Sequence, residues 1–138
     1  MFRLNGTKTP ELLVMAFARE SRTNRCSPWV IQRADVEGRP AATVFTSITE
    51  GETGHALDLL AFLAEVGDPV TDEPIGDTDD NLSAVLAGEM HDATDLYPGL
   101  ATVDREEGLG EAADWFGSPA RGEAQQADRL RRALDEHG

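Results

Sequence analysis

Cysteine is almost absent from this sequence. One residue, Cys26, stands alone among 138. A single cysteine excludes an internal disulfide and a metal cluster built from several thiolates. Any metal bound by this chain would therefore be held by oxygen and nitrogen ligands.

Positive charge is also scarce. The chain has 12 Lys and Arg residues against 26 Asp and Glu, which gives a formal net charge of -14. Nucleic acids and anionic membrane surfaces both bind through clustered cations. The sequence therefore argues against both as partners.

Long apolar runs are missing as well. No stretch approaches the roughly 18 consecutive apolar residues that indicate a membrane helix. The N-terminus, "MFRLNGTKTPELL", lacks the basic region and the long apolar run of a signal peptide. We expect a soluble, cytoplasmic protein, and the length predicts a single domain over residues 1–138.

Helix start and stop signals predict four helical segments. They run from Thr9 to Gly38, from Pro40 to Gly67, from residues 78–81 to Gly108 with a kink at Pro98, and from Gly110 to the C-terminus with an interruption at residues 117–119. The stretch between the second and third segments, "DPVTDEPIGDTDDN", is polar and shows no apolar period. Short first and last links and a long middle link predict an all-α, ferritin-like four-helix bundle with one long crossover.

Polar residues interrupt the apolar stripe of every segment. Apolar residues spaced alternately three and four apart mark the face that a helix turns toward its bundle. In the second segment the stripe is Phe45, Ile48, Glu52, His55, Leu59 and Phe62, and in the third it is Leu82, Val85, Glu89, Asp92 and Leu96. The first reads Leu13, Ala16, Glu20, Thr23, Ser27 and Val30, and the fourth reads Phe116, Pro119, Glu123, Gln126, Leu130 and Ala133.

These carboxylates are predicted to lie at one level of the bundle. With a rise of about 1.5 Å per residue, Glu20, Glu52 and Glu89 each lie roughly 15 to 18 Å from the start of their helices. Burying several carboxylates together is costly unless they are protonated or bind cations. Since Glu52 and His55 lie three residues apart and face the same way, they can ligate one ion.

The polar residues in the apolar stripes also have a purely structural interpretation, in which they bind no metal. A single Glu or His in a helical stripe more often sets the helix register or reaches solvent than binds a metal. It is far less expected that such residues would interrupt the stripes of all four segments by coincidence. The pattern as a whole therefore favours a pair of divalent ions.

Several fragments, in their order and spacing, resemble the rubrerythrins, di-iron proteins of the ferritin-like class. They are "LNGTKTPELLVMAFARES", "EGETGHA", "IGDTDDNL", "AGEMHDATDLYPG", "REEG" and "ADWF". The resemblance covers nearly the whole chain. It implies a dinuclear non-haem iron site that reduces hydrogen peroxide in oxidative stress defence.

The resemblance also implies roles for single residues. Glu52 and Glu123 would bridge the two irons, and Glu20 and Glu89 would be terminal ligands.

One iron of the family moves between a histidine and a carboxylate as its oxidation state changes. His55 and Asp92 stand at those two places. Tyr97 matches a tyrosine that orients this carboxylate through a hydrogen bond, a common role for such partners.

The chain departs from the family pattern near the second iron. Gln126 stands where a histidine ligand is expected, and an amide oxygen binds ferrous iron more weakly than imidazole. Ser27 replaces a tyrosine, and Pro28 is expected to kink the first helix. We therefore expect two ions per chain with the second site weakened, iron being the implied metal and Mn or Zn acceptable to the same ligands.

Partners are expected from the same resemblance. Rubrerythrins commonly carry a rubredoxin-like domain with four cysteines, and these cysteines are lacking here. The resemblance therefore implies an external electron donor such as a rubredoxin-like protein, and it suggests a homodimer.

A second hypothesis places the chain in another class. It would be a degenerate bundle that binds one metal ion or none and acts as a metal-binding or interaction protein. Gln126, Ser27 and Pro28 favour this alternative.

Overall fold

The computed structural model describes residues 6–68 and 71–137. Regular structure within these ranges is helical throughout, without a strand, so the all-α prediction is confirmed. The helices are α1 (Thr9–Val36), α2 (Ala42–Leu63), α3 (Thr78–His91), α4 (Tyr97–Glu106) and α5 (Gly110–His137), and a π-helical segment, Asp92–Leu96, joins α3 to α4. None of the helices in the described ranges has the length and apolar character needed to cross a bilayer.

The chain forms two compact units, one on each side of residues 69–70. Helices α1 and α2 pack against each other in the first unit. In the second, α5 packs against α3, the π-helical segment and α4. Four predicted helical segments are thus present, with α3, the π-helical segment and α4 together forming the third. The assignment of residues 1–138 to a single domain stays a prediction.

Glycines in the left-handed region end two of the helices. Gly38 has φ of 64°, and the next amide, Arg39 N, donates to Ala34 O at 2.9 Å. Gly108, with φ of 80°, follows α4 in the same way. Since glycine adopts positive φ without a steric penalty, the chain can leave the helix abruptly and turn back. Both predicted stops are confirmed.

The start of α3 is fixed by its own side chains. Asp77 Oδ1 accepts a hydrogen bond from Asp80 N at 2.9 Å, which satisfies an amide of the first turn. Asn81 holds Gly76 from both sides, because its Oδ1 accepts from Gly76 N at 2.9 Å and its Nδ2 donates to Gly76 O at 3.2 Å. The predicted start at residues 78–81 is confirmed.

Two prolines lie inside helices without ending them. The predicted interruption at residues 117–119 is wrong, because α5 continues through Pro119. A proline removes one backbone hydrogen bond, but Ala113 and Ala127 are buried on either side of it, so packing holds both halves. Helix α1 likewise continues through Pro28.

Small residues dominate the buried positions. In the first unit Ala34 and Leu63 are buried, and in the second the buried apolar residues are Ala84, Ala101, Ala113 and Ala127. Alanine at these positions lets helix backbones approach closely.

Candidate metal centre

The first unit brings together two of the predicted ligands. Glu20 on α1 and His55 on α2 face each other, with His55 Nδ1 at 3.6 Å from Glu20 Oε2. The Glu20 side chain is 29% exposed and that of His55 is 67% exposed. A carboxylate and an imidazole from two helices therefore meet at a surface that remains open on the histidine side.

Glu52, three residues before His55 on α2, has an unsatisfied carboxylate oxygen. Its Oε2 is buried and has no hydrogen-bond partner in the described part of the chain. Glu52 precedes His55 by three residues on α2, so both point to the same side of the helix. An ionised oxygen without a donor is expensive to bury, and a cation would remove that cost.

Glu89 in the second unit shows the same feature. Its Oε2 is also buried without a hydrogen-bond partner among the described residues. Asp92, three residues later, is half-buried like Glu89. Each unit thus contains one glutamate whose carboxylate oxygen is removed from water and left unpaired.

A π-helical turn begins at Asp92. The Tyr97 amide donates to Asp92 O, five residues back, and the segment ends just before Pro98. Segments of this kind are often found at functional sites. This turn includes a predicted ligand, Asp92, and lies before Pro98, which stands in the first turn of α4. The kink predicted at Pro98 stays a prediction.

The fourth predicted segment carries Glu123 and Gln126 on α5. Glu123 is half-buried, whereas Gln126 is exposed. Three residues apart on a helix, the two share one side of α5. The position where the resemblance expects an imidazole therefore presents an amide to solvent.

Tyr97 packs against an aromatic residue of α5. Its ring centroid lies 6.0 Å from that of Phe116, and Trp115 packs edge-on against Phe116 at 5.3 Å. These contacts join the start of α4 to α5. The predicted role of Tyr97 toward the Asp92 carboxylate stays a prediction.

The helical spacing of the sequence does not show how Asn24 contacts α2. The Asn24 side chain on α1 donates to Thr49 O at 3.1 Å and to Thr53 Oγ1 at 2.8 Å, both on α2. A usable signal existed, because Asn24 lies four residues after Glu20 and Thr53 follows Glu52. Ser27, expected to replace a tyrosine, is buried and donates to Thr23 O at 3.0 Å.

Among the described residues the observed contact between predicted ligands is the one between Glu20 and His55. In the described ranges, no three His, Cys, Asp or Glu side chains lie close enough together to hold an ion. The seven-residue ligand set therefore stays a prediction. The donor types nevertheless fit iron, manganese or zinc, since carboxylate oxygens and imidazole nitrogens bind all three.

Inward-facing glutamates and a Glu-x-x-His motif on helices define a class, the ferritin-like proteins that bind metals through carboxylates. A model of the rubrerythrin family matches residues 11–134. The chain belongs to the rubrerythrin family.

Curated relatives agree with this assignment. The chain is 37% identical over 131 residues to a rubrerythrin of Porphyromonas gingivalis, covering 91% of this chain and 66% of that protein. It is 36% identical over 126 residues to a rubrerythrin of Nitratidesulfovibrio vulgaris, covering 87% and 65%. It is 35% identical over 125 residues to rubrerythrin-1 of Clostridium acetobutylicum, covering 84% and 64%.

The chain spans just under two thirds of the length of these relatives. Family membership supports a di-iron protein of the rubrerythrin type, and with it the binding of iron.

Proposed function

We propose that this chain is a rubrerythrin-like non-haem di-iron oxidoreductase that reduces hydrogen peroxide in oxidative stress defence. The observation that carries the proposal is the pair of buried, unpartnered oxygens, Glu52 Oε2 and Glu89 Oε2. In a protein that belongs to the rubrerythrin family, a bound cation is a partner that suits each of these oxygens.

The residues that would hold the metal are the predicted set. They are Glu20, Glu52, His55, Glu89, Asp92, Glu123 and Gln126. When bound, ferrous iron supplies the electrons that reduce the peroxide O–O bond. The glutamates supply negative charge that balances the charge of the metal in both of its oxidation states.

The contact between Glu20 and His55 has a specific part in this proposal. His55 Nδ1 and Glu20 Oε2, 3.6 Å apart, place a nitrogen and an oxygen donor from two helices beside each other. A ligand pair already in place loses less side-chain freedom when an ion binds. The open face of His55 leaves room for a small oxidant such as peroxide to approach.

Partners complete the proposal. Electrons would come from an external donor such as a rubredoxin-like protein, and the chain would act in the cytoplasm as a homodimer. Large apolar side chains are exposed in both units, for example Trp29 (65% exposed) and Trp115 (64% exposed). Such exposed apolar surface supports the association of two chains.

A single-turnover experiment tests the catalytic proposal. The protein is loaded anaerobically with Fe²⁺, excess metal is removed, and hydrogen peroxide is added while iron oxidation is followed by absorbance. We expect oxidation faster than that of the same concentration of free Fe²⁺. Oxidation at the rate of free iron would contradict the proposal.

One observation favours the alternative of a degenerate bundle. Gln126 is exposed and offers an amide where the family pattern expects an imidazole. In that case the chain would bind one ion or none and serve as a metal-binding or interaction protein. Elemental analysis of the purified protein distinguishes the two, because two iron ions per chain support the enzyme and one or none supports the alternative.

A further inference from the structure

A small hydrogen-bond network joins α1 to α2. Asn24 Nδ2 donates to Thr49 O at 3.1 Å and to Thr53 Oγ1 at 2.8 Å. Thr53 Oγ1 in turn donates to Thr49 O at 2.9 Å. One side-chain amide of α1 is thus bound to both a hydroxyl and a carbonyl of α2.

The network lies next to the predicted ligands. Asn24 follows Glu20 by four residues, about 6 Å along α1, and so lies on the same face of the helix. On α2, Thr49 precedes Glu52 by three residues and Thr53 follows it directly. The hydrogen bonds therefore join the two helices within about one turn of Glu20 and Glu52.

Apolar packing alone does not fix how far along its axis one helix lies against another. The hydrophobic effect is non-directional, and a shift of one helical turn, about 5.4 Å, can exchange one small residue for another. Such a shift would separate Glu20 Oε2 from His55 Nδ1, now 3.6 Å apart. In the observed register the side-chain amide of Asn24 bonds two acceptors of α2 at once, Thr49 O and Thr53 Oγ1, so sliding α1 along α2 would break both hydrogen bonds.

We propose that Asn24 is a positioning residue that, through Thr53 and Thr49, holds Glu20 in register with Glu52 and His55 for metal binding. This inference rests on the proposed function, because it assumes that these side chains bind a metal. Residues that orient metal ligands typically change metal affinity by about 10- to 100-fold when they are mutated.

The test measures Fe²⁺ binding by anaerobic titration calorimetry rather than activity. Asn24→Ala removes the donor and Thr53→Ala removes one acceptor. Thr53→Ser keeps the hydroxyl. Thr46→Ala is the matched control, because Thr46 Oγ1 makes the same kind of intrahelical bond on α2, to Ala42 O at 2.9 Å, whereas Asn24 bonds to Thr49 and Thr53. All titrations are made below the temperature at which any variant begins to unfold.

We expect Asn24→Ala to weaken Fe²⁺ binding by about tenfold or more and Thr53→Ala to weaken it in the same direction. Thr53→Ser and Thr46→Ala should bind like the unchanged protein. Since both residues belong to one network, the double variant Asn24→Ala, Thr53→Ala should bind little more weakly than Asn24→Ala alone.

A purely structural role gives a different result. It would lower the melting temperature of the metal-free variants but leave the Fe²⁺ affinity of the folded proteins unchanged, and this would overturn the inference. If the unchanged protein itself bound no Fe²⁺, the proposed function would be wrong and the inference would fail with it. If Asn24→Ala cannot be folded, Thr53→Ala against Thr46→Ala decides the question.

Discussion

His55 Nδ1 lies 3.6 Å from Glu20 Oε2, and this contact connects α2 to α1. A second histidine makes a contact of the same length, since His91 Nδ1 lies 3.6 Å from Asp95 Oδ2. The second pair is four residues apart along one helical stretch, and both of its side chains are at least half exposed. The two pairs share their chemistry but differ in whether they join two helices.

The first prediction uses this difference. His55→Ala should reduce the affinity for Fe²⁺, because it removes the imidazole donor beside Glu20. His91→Ala should bind Fe²⁺ like the unchanged protein, since His91 lies outside the apolar stripe. Equilibrium dialysis followed by iron analysis measures both. Equal losses in the two variants would show that histidine content, and not the contact with Glu20, determines binding.

The second prediction concerns the buried oxygen of Glu52. Glu52→Met replaces a carboxylate without a hydrogen-bond partner by an apolar side chain of similar length. We expect the metal-free protein to become more stable by about 1–3 kcal/mol, the usual cost of a buried unsatisfied polar group. The same change should abolish the stabilisation that Fe²⁺ gives to the unchanged protein. Urea unfolding with a chelator and with Fe²⁺ measures both effects.

Glu50→Met is the control for this substitution. Glu50 is exposed on the same helix, so its replacement should leave the stabilisation by Fe²⁺ intact. A destabilised metal-free Glu52→Met protein would mean that the carboxylate is satisfied in solution, and the argument for a cation at Glu52 would be lost.

Much of the fold was predictable because its signals are local. Gly38 and Gly108 end helices through their own backbone conformation, and the residues around Asp77 cap α3 with their own side chains. The interruption predicted at residues 117–119 was wrong because it was based on the low intrinsic helix propensity of Gly and Pro. The burial of Ala113 and Ala127 on either side of Pro119 depends on contacts with other helices, which local propensity does not include.

The candidate site was predictable to a lesser degree. The periodic position of Glu52 and Glu89 indicated that they face inward, and both have a buried oxygen. Asn24 lies four residues after Glu20 but outside the stripe described for the first segment, and its partners, Thr49 and Thr53, lie on another helix. Register between helices depends on long-range contacts, and the π-helical turn at Asp92 depends on a local departure from the 3.6-residue period. A search for apolar residues at regular helical spacing detects neither feature.

The third prediction compares two glycines of the first unit. Gly38 has φ of 64°, and a side chain there would strain the backbone, so Gly38→Ala should reduce stability by about 1 kcal/mol. Gly54 lies inside α2, and a Cβ added there would meet nothing within 4 Å. Gly54→Ala should raise stability by roughly 0.5–1 kcal/mol, because alanine loses less backbone entropy in a helix.

Chemical denaturation of the two glycine variants checks these signs. A destabilised Gly54→Ala protein would contradict the open space at this position. It would indicate that another surface in solution approaches the α2 backbone at Gly54.

The fourth prediction concerns Gln126. Gln126→His supplies the imidazole that the family pattern expects, three residues after Glu123 on the same side of α5. If the chain is a di-iron protein with one weak position, this substitution should strengthen binding of the second Fe²⁺ and leave the first unchanged. If it is a degenerate bundle, the unchanged protein should bind one Fe²⁺ ion per chain or none, and the substitution should increase that number. Iron analysis after anaerobic loading, at several Fe²⁺ concentrations, separates the two patterns.

Gln125→His is the matched control for Gln126→His. Gln125 is also exposed on α5, but it is adjacent in sequence and points about 100° away around the helix. A histidine there adds an imidazole without bringing it to the side of Glu123. Binding should therefore increase only in Gln126→His. An equal increase in Gln125→His would show that any exposed histidine on α5 recruits iron, and the assignment of position 126 to the metal centre would be wrong.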